Sequence, residues 1–396
     1  MRSQWQTGTI GQCAEVRARI GWRGLSSREY QESGPFLIAG KHISDGKILW
    51  DHCDHITPAR YQESPEIILR PKDVIISKDG TIGRVARIDS LPGDATINGT
   101  MMLVRPGPVL DYKFLSHVLQ GRRFTTLVEE RISGSSIPHL FQRDIVKFPI
   151  ALPSATEQRR IAEILDSIDE EISEARSALA KLITVRDAVI RSRLSTIYST
   201  APAVPLEQVA NVDRGRFSAR PRNDPAYYGG KYWFIQTGDV ANSRGEIIRL
   251  ASQTLNEIGL KTSREFPSGT VAITIAATIG ETAILGVPMC FPDSVVGVVA
   301  RDGYEPRFLE RCLNRAKPRL EACAPQSAQK NINLQDLRPL LIPDASRDTQ
   351  IGFAELWDNY DEQRNQMARG LAKLQALKRS LADDLLSGSI QVPDEN

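Results

Sequence analysis

Two clusters of arginines stand out among the residues that could carry chemistry. The first follows the first expected strand, and the second lies near the corresponding point of the second half. The clusters comprise Arg17, Arg19, Arg23 and Arg28, and Arg214, Arg216, Arg220 and Arg222. Guanidinium groups bind phosphates and the acceptor edge of guanine. Gly215 and Pro221 interrupt the second cluster, which predicts a flexible basic loop rather than a helix. These residues favour a polyanion-binding surface, with a solvated loop as the alternative.

Two further polar sets recur in both halves of the chain. One is a Thr-Ile-Gly turn, and the other is a polar loop that could donate hydrogen bonds. They comprise Lys78, Thr81 and Thr278, and Ser133, Ser135, Ser136, His139, Ser327, Gln329, Lys330, Asn331 and Asn333. We expect Gly83 and Gly280 to serve backbone geometry at positive φ.

The sequence lacks the motifs expected of a methyltransferase, of a nucleotide-binding loop or of a metal site. The stretch from Asn223 to Tyr227 has a single proline, so it is expected to be a turn and not an amino-methyltransferase loop. No phosphate-binding Gly-x-x-x-x-Gly-Lys-Ser/Thr motif occurs. His52 and His55 flank Cys53 and Asp54 without a distant second pair of ligands, which favours a loop over a metal site. The sequence therefore predicts neither a catalytic centre nor a metal.

The elements that position these residues are duplicated. Residues 74–83 (VIISKDGTIG) recur as residues 271–280 (VAITIAATIG), and residues 10–14 resemble residues 206–210. Residues 154–195 align without a gap on residues 346–387, with 13 of 42 positions identical. The order predicts four segments: globular domains at 1–150 and 200–342, and long helices at 151–199 and 343–396. A Pro- and Ala-rich linker is expected at 199–205.

Short β-branched runs between turn residues predict that each globular domain is mixed α/β. Such runs occur at residues 66–69, 74–77 and 295–299, and helical patches occur at 112–122 and 306–323. Basic residues exceed acidic ones by four in 1–150 and by three in 200–342, although the net charge of the chain is only +2. A basic surface confined to these two segments fits polyanion binding.

The two long segments carry a coiled-coil pattern. Apolar residues of the first advance by alternating steps of four and three, and the second repeats them with Arg364 as the polar exception. The seam residues are Ile161, Leu165, Ile168, Ile172, Ala175, Leu179 and Leu182, and Phe353, Trp357, Tyr360, Met367, Leu371 and Leu374. Because neither helix can bury its seam alone, we expect an antiparallel pair of about 60 Å. Two helices packed separately on their own domains are the alternative.

Six sequence blocks around these helices resemble the specificity subunit of type I restriction-modification systems. Residues 152–165 (LPSATEQRRIAEIL) are similar to the family's Pro-x-x-x-Glu-Gln helix start. The other blocks are residues 78–83, 133–140, 207–210, 328–334 and 382–388. The second helix start departs from the pattern, since residues 348–350 read Asp-Thr-Gln.

The resemblance implies two pseudo-symmetric target-recognition domains held apart by the antiparallel helices, each domain reading half of a bipartite, asymmetric sequence in double-stranded DNA. It implies that the chain does no chemistry and uses no cofactor. Two modification subunits, which methylate adenine with S-adenosylmethionine, and two restriction subunits, which use ATP and Mg²⁺, are the implied partners.

Hydropathy, the first residues and the cysteines limit where the protein is expected to act and which other functions it could have. No apolar stretch is long enough to span a membrane, and the first residues lack the apolar core of a signal peptide. Five cysteines without a Cys-x-x-Cys pair favour the reducing cytoplasm. A duplicated coiled-coil scaffold that does not bind DNA remains the alternative function. A fused methyltransferase is disfavoured, because its cofactor and catalytic motifs are missing.

Overall fold

The computed structural model describes residues 5–18, 25, 29–133, 138–323 and 331–392. The chain divides into two compact units. The first combines residues 1–178 with residues 368–396, and the second spans residues 179–367. Each unit therefore contains one globular domain and a part of both long helices.

The first half of the chain alternates short strands with short helices before one long helix. Its elements are β1 Gln6–Thr9, α1 Ile10–Cys13, β2 Ala14–Ala18, β3 Tyr30–Ile38, β4 Ile43–Ser44, β5 Lys47–Ile48, β6 Asp54–Ile56, α2 Pro58–Gln62, β7 Val74–Ser77, β8 Val85–Arg87, β9 Ala95–Ile97, β10 Met101–Pro106, α3 Tyr112–Val118, α4 Arg122–Ser133, α5 Gln142–Val146, β11 Pro149–Leu152 and α6 Ala155–Thr200.

The second half has a similar, though not identical, order of elements and also ends in a long helix. Its elements are β12 Ala203–Pro205, α7 Leu206–Val209, β13 Ala210–Arg214, β14 Tyr228–Phe234, α8 Thr237–Ser243, β15 Ile247–Ile248, β16 Gln253–Leu255, α9 Glu257–Thr262, β17 Glu265–Phe266, β18 Val271–Thr274, β19 Thr282–Leu285, β20 Met289–Cys290, β21 Val295–Ala300, α10 Pro306–Cys323, α11 Leu334–Leu337, β22 Leu341–Pro343 and α12 Arg347–Ser387.

The duplication inferred from the sequence is present in the sheets. The first domain has a sheet in the order β2-β10-β7-β8, and the second has the matching order β13-β21-β18-β19 with β15 added at the edge. A smaller sheet in each domain contains one parallel contact, β3 with β9 and β14 with β20. The predicted fold class, two repeated mixed α/β domains with long helices, is confirmed.

Burial explains why the central strands form. Every residue of β7 and of β18 is buried, so both faces of these strands are covered. Helices α3, α4 and α5 pack on one side of the first sheet, where Phe114, Phe124 and Ile145 join its core. Helix α10 supplies the corresponding layer in the second domain through Phe308 and Leu313.

Three local predictions were wrong. Residues 66–69 do not form a strand, because Pro65–Ile67 makes a 3-10 turn and Ile68 has only an isolated bridge to Thr96. The segment from His52 to His55 is not a loop, because His52 ends a 3-10 turn and Asp54 and His55 begin β6. The expected linker is shorter than predicted, since α6 runs to Thr200 and Ala203–Pro205 pairs with β22.

The predicted seam of the long helices is buried at some positions and half-buried at the others. None of the seam residues is exposed, and the helices reach 46 and 41 residues. Their ends belong to the globular cores: Ile161 and Leu165 join the first domain, and Phe353 and Trp357 join the second.

Contacts within each unit show the relative direction of helices α6 and α12. In the first unit, the Lys378 ammonium of α12 binds Asp169 of α6 at 2.5 Å. In the second unit, Arg186 of α6 lies 3.8 Å from the Asp361 carboxylate of α12. Later residues of one helix therefore meet earlier residues of the other, as in an antiparallel pair. Arg364, the polar exception in the seam, binds Glu246 of the second domain.

Candidate nucleic-acid interface

The Thr-Ile-Gly turn has the same hydrogen bonds in both domains. In the first, the Ser77 hydroxyl donates to the Thr81 carbonyl and accepts from the Arg84 amide at 2.9 Å. In the second, the Thr274 hydroxyl donates to the Thr278 carbonyl and accepts from the Glu281 amide at 3.0 Å. A side chain in the preceding strand thus closes each turn and leaves Thr81 and Thr278 exposed.

The glycines of these turns have the expected backbone role. Gly83 has φ +83° and Gly280 has φ +78°, and the amide of each donates to the strand residue that begins the turn. A β-carbon at Gly280 would lie 2.8 Å from Cγ of Lys317, so the position also needs a small residue. The glycines therefore shape the turn and need not contact a ligand.

The polar loop of the first domain lies against its Thr-Ile-Gly turn. The Leu140 amide donates to the Lys78 carbonyl at 3.0 Å, and His139 binds the Asp79 carboxylate through Nδ1. The Lys78 ammonium reaches the same carboxylate at 3.2 Å. Two sets that were separate in the sequence therefore form one polar surface.

The second domain repeats this contact. Asn331 makes an isolated bridge with Ala276 of the turn, and the Ile332 amide donates to the Ile275 carbonyl at 3.0 Å. Arg214 joins the same surface, because its guanidinium donates to the Asn333 side chain at 3.3 Å. Asn331 itself is exposed.

Several of the predicted contact residues lie outside the described part of the chain. These are Arg19, Arg23 and Arg28 of the first cluster, and Ser135, Ser136, Ser327, Gln329 and Lys330 of the polar loops. Arg17 is described. It is exposed at the end of β2 and pairs with Glu15, whose pKa is lowered mainly by the hydrogen bond from Arg17.

The second arginine cluster is a loop, as predicted, but it is fastened to the domain. The Gly215 and Ser218 amides donate to carbonyls of β21 and α9, both at 2.9 Å. Phe217 and Ala219 point inward and are buried. Residues of the loop are thus anchored to the domain, and the side chains of Arg216, Arg220 and Arg222 between them are exposed.

The guanidinium groups of this loop have weak or replaceable partners. Arg216 donates to the Ser263 carbonyl at 2.9 Å, and Arg220 donates to the Ala219 carbonyl at 2.7 Å. Arg222 pairs with Asp293 at 3.0 Å, and both side chains are about half exposed. Exposed ion pairs contribute little to stability, so a phosphate can replace Asp293 as the partner of Arg222 at small cost.

A concave aromatic patch under this loop was not found from the sequence. The Phe217 ring contacts Phe234 and Tyr228, with centroids 4.9 and 5.8 Å apart. Gln236 and Gln253 line the same hollow and share a hydrogen bond of 3.1 Å. Glutamine amides can read adenine. The two glutamines are distant in the sequence and come together only because β14 pairs with β16. No sequence pattern could therefore predict that they share a site.

The expected turn at residues 223–227 is confirmed, since Asp224 caps a 3-10 turn over Pro225–Tyr227. Among the residues that the structure describes, no three His, Cys, Asp or Glu side chains group closely enough to hold a metal ion. Within the same residues, no helix has the length and apolarity to cross a bilayer.

Comparisons with known proteins agree with the duplication. A family model described as the type I restriction modification DNA specificity domain matches residues 3–182 and again residues 202–374. The specificity subunit of the Escherichia coli type I restriction enzyme EcoR124I/EcoR124II is 27% identical over 161 residues, which cover 40% of this chain and 39% of that protein. A Methanocaldococcus jannaschii protein assigned as the specificity subunit of type I enzyme MjaX is 20% identical, with 93% of this chain and 90% of that protein covered.

Two solved structures share the fold. One, from work on complex assembly and conformational transition of the type I R-M system, covers 98% of both chains with a TM-score of 0.63 and 17% identity. The other is the S subunit of a type I restriction-modification system from M. genitalium, with a TM-score of 0.59 and 14% identity. It covers 99% of this chain and 97% of that subunit.

Proposed function

Because this chain belongs to the family of type I restriction-modification DNA specificity subunits, whose members are non-catalytic, we propose that it reads a bipartite, asymmetric DNA sequence. Each globular domain would read one half-site. The paired helices α6 and α12 would set the number of unread base pairs between the half-sites, as protein geometry sets spacing in other DNA readers.

The observation that carries this proposal is the duplicated polar surface. Each domain brings its Thr-Ile-Gly turn against a polar loop, and the second domain adds an anchored row of outward arginines. Anchoring matters for reading bases, because a bidentate contact to guanine requires a fixed guanidinium position. Lys78, His139 and Asn331 are suited to phosphates or base edges nearby.

The partners follow from the same proposal. Two modification subunits would methylate adenine with S-adenosylmethionine, and two restriction subunits would use ATP and Mg²⁺. This chain would bind neither a cofactor nor a metal, and would act in the cytoplasm on double-stranded DNA. The faces of α6 and α12 outside the seam would dock the modification subunits.

The test is selection of bound duplexes from a randomised library by the complex of this chain with its modification subunit. We expect the wild type to select two half-sites with a fixed gap. Arg216→Ala should relax one half-site at one position, with a loss of about 1–3 kcal/mol there. Arg17→Ala should affect only the other half-site.

The gap length should be unchanged in both variants. Equal weakening of all sequences by Arg216→Ala would mean that Arg216 contacts phosphate. A wild-type complex that selects no sequence would contradict the proposal and favour a scaffold that does not bind DNA.

A further inference from the structure

A concave pocket in the second unit is lined by an excess of arginines. It lies among α6, α8, α10 and the start of α12. Its arginines are Arg186, Arg191, Arg244, Arg311 and Arg315, and its only acidic lining residues in the described chain are Asp187 and Glu281. The lining therefore holds more arginines than carboxylates, although Glu310 and Asp361 beside the pocket also pair with Arg311 and Arg186.

The pairing of these groups shows which charges are free. Arg311 binds the fully buried Glu310, and Glu281 already holds Lys317 at 2.6 Å. Arg191 of α6 and Arg244 at the end of α8 have no side-chain acceptor among the described residues. Both guanidinium groups are thus available for an anion.

Buried donors around Trp357 lack acceptors as well. The Trp357 indole Nε1 and the Arg186 Nη1 are buried and make no hydrogen bond among the described residues, although Arg186 Nη1 lies 3.8 Å from the Asp361 carboxylate and Arg186 pairs with Asp187 through its other Nη atom. The Arg186 and Arg311 guanidinium groups lie 4.8 and 4.0 Å from the centre of the Trp357 ring. Unpaired donors and crowded like charges are costly in a partly buried site, and an oxyanion would relieve both costs.

We propose that this pocket binds a phosphate group. Planar guanidinium groups match phosphate oxygens in a bidentate way, and a phosphate brings more acceptor oxygens than one carboxylate. The pocket adjoins the interface described above, because Glu281 ends the turn that exposes Thr278. A phosphate of the DNA backbone is thus the expected source, and this source rests on the proposed function. A free phosphate ion or small phosphate ester is the second source.

The first test compares two double variants of the full-length chain with equal charge changes. Arg191→Gln with Arg244→Asn removes the free pocket arginines, and asparagine tolerates the left-handed backbone of Arg244. Arg193→Gln with Arg249→Asn alters two exposed arginines that do not line the pocket. Binding of a duplex without target site is measured against salt, in complex with the modification subunit.

We expect the pocket variant to lower the slope of log K against log salt concentration by about 0.9 for each DNA phosphate that the protein no longer neutralises. The control variant should leave the slope unchanged. In a second arm, thermal unfolding of the chain is followed with inorganic pyrophosphate against sodium chloride of equal ionic strength. Pyrophosphate should raise the Tm of the wild type and of the control variant, but not that of the pocket variant.

The outcomes are distinguishable. A changed slope identifies backbone phosphate, and a pyrophosphate effect without a changed slope identifies the small-molecule source. If neither arm separates the pocket variant from the control variant, the phosphate site is refuted. If the pocket variant no longer binds the modification subunit, the pyrophosphate arm alone decides whether the site exists. If the wild type binds no DNA, the proposed function fails, and the pyrophosphate arm still decides the pocket.

Discussion

Asp166 illustrates how one carboxylate fastens a long helix to a globular domain. This residue of α6 binds His117 at 2.8 Å and Lys113 at 3.0 Å, and it also binds Arg87. Burial by itself would raise the pKa of Asp166. The hydrogen bonds from His117, Arg87 and Lys113 outweigh burial and hold the pKa well below its usual range.

Asp166→Asn should lower the free energy of unfolding by about 1–3 kcal/mol at pH 7, because partly buried cations lose their counter-charge. Asp358 occupies the matching position of α12 but is two-thirds exposed, and Arg307 lies 3.8 Å away. Asp358→Asn is therefore the matched control, with an expected loss below about 1 kcal/mol. Urea unfolding of both variants measures the difference.

The pH dependence of this contribution has a definite sign. Since the folded pKa of Asp166 is lowered, its contribution is complete above the unfolded value of about 4 and is lost as the pH falls towards the folded pKa. The difference in unfolding free energy between wild type and Asp166→Asn should therefore be smaller at about pH 3.5 than at about pH 5. A difference that widens on acidification would contradict this account.

Gln158 shows what a sequence motif can and cannot reveal. The Glu-Gln pair indicated a helix start, but the role of the glutamine required the fold. The buried Gln158 accepts from the Asp111 amide at 2.8 Å and donates to the Val109 and Pro153 carbonyls. In α12, the Gln350 side-chain oxygen makes the corresponding contact, since it accepts a hydrogen bond from the Glu305 amide at 3.0 Å. The second copy thus retains the residue that ties the helix to its domain and loses only the preceding glutamate.

At the scale of elements, the heptad pattern predicted burial well because side-chain spacing on a helix is fixed by geometry. The heptad pattern did not show where the helices stop pairing with each other and begin to pack in the cores of the globular domains. Ile190, Leu194 and Ile197 lie beyond the predicted seam and are buried in the second domain. The loop after β13 was predicted to be flexible because its anchors, such as the Val295 and Thr262 carbonyls, are distant in sequence.

A charge placed in the seam should weaken the helix pair. Leu179→Asp puts a carboxylate at a half-buried seam position, whereas Ala180→Asp puts it at the adjacent exposed position of the same helix. We expect Leu179→Asp to cost about 2 kcal/mol of unfolding free energy and Ala180→Asp to cost little, because only the first desolvates a charge. Thermal unfolding followed by circular dichroism at the helix band tests this. Equal effects would mean that the predicted seam does not stabilise the helices.

At the scale of the whole molecule, the duplication was the property best predicted from the sequence. Repeated blocks in the same order specify matching central elements. The strand order β2-β10-β7-β8 therefore recurs as β13-β21-β18-β19, and the parallel β3–β9 contact recurs as β14–β20. The aromatic hollow with Gln236 and the arginine pocket beside Trp357 could not be predicted in this way, because each exists only where separate elements meet.

Methylation mapping in cells tests whether this chain directs methylation to a bipartite sequence. The genome of the organism that carries this gene would be mapped for N6-methyladenine with the gene intact, deleted and restored, while the modification subunit is expressed throughout. We expect methylation to disappear on deletion at one motif, composed of two half-sites with a fixed gap, and to return on restoration. Methylation that is unchanged at every motif, in cells where this chain co-purifies with the modification subunit, would contradict this expectation.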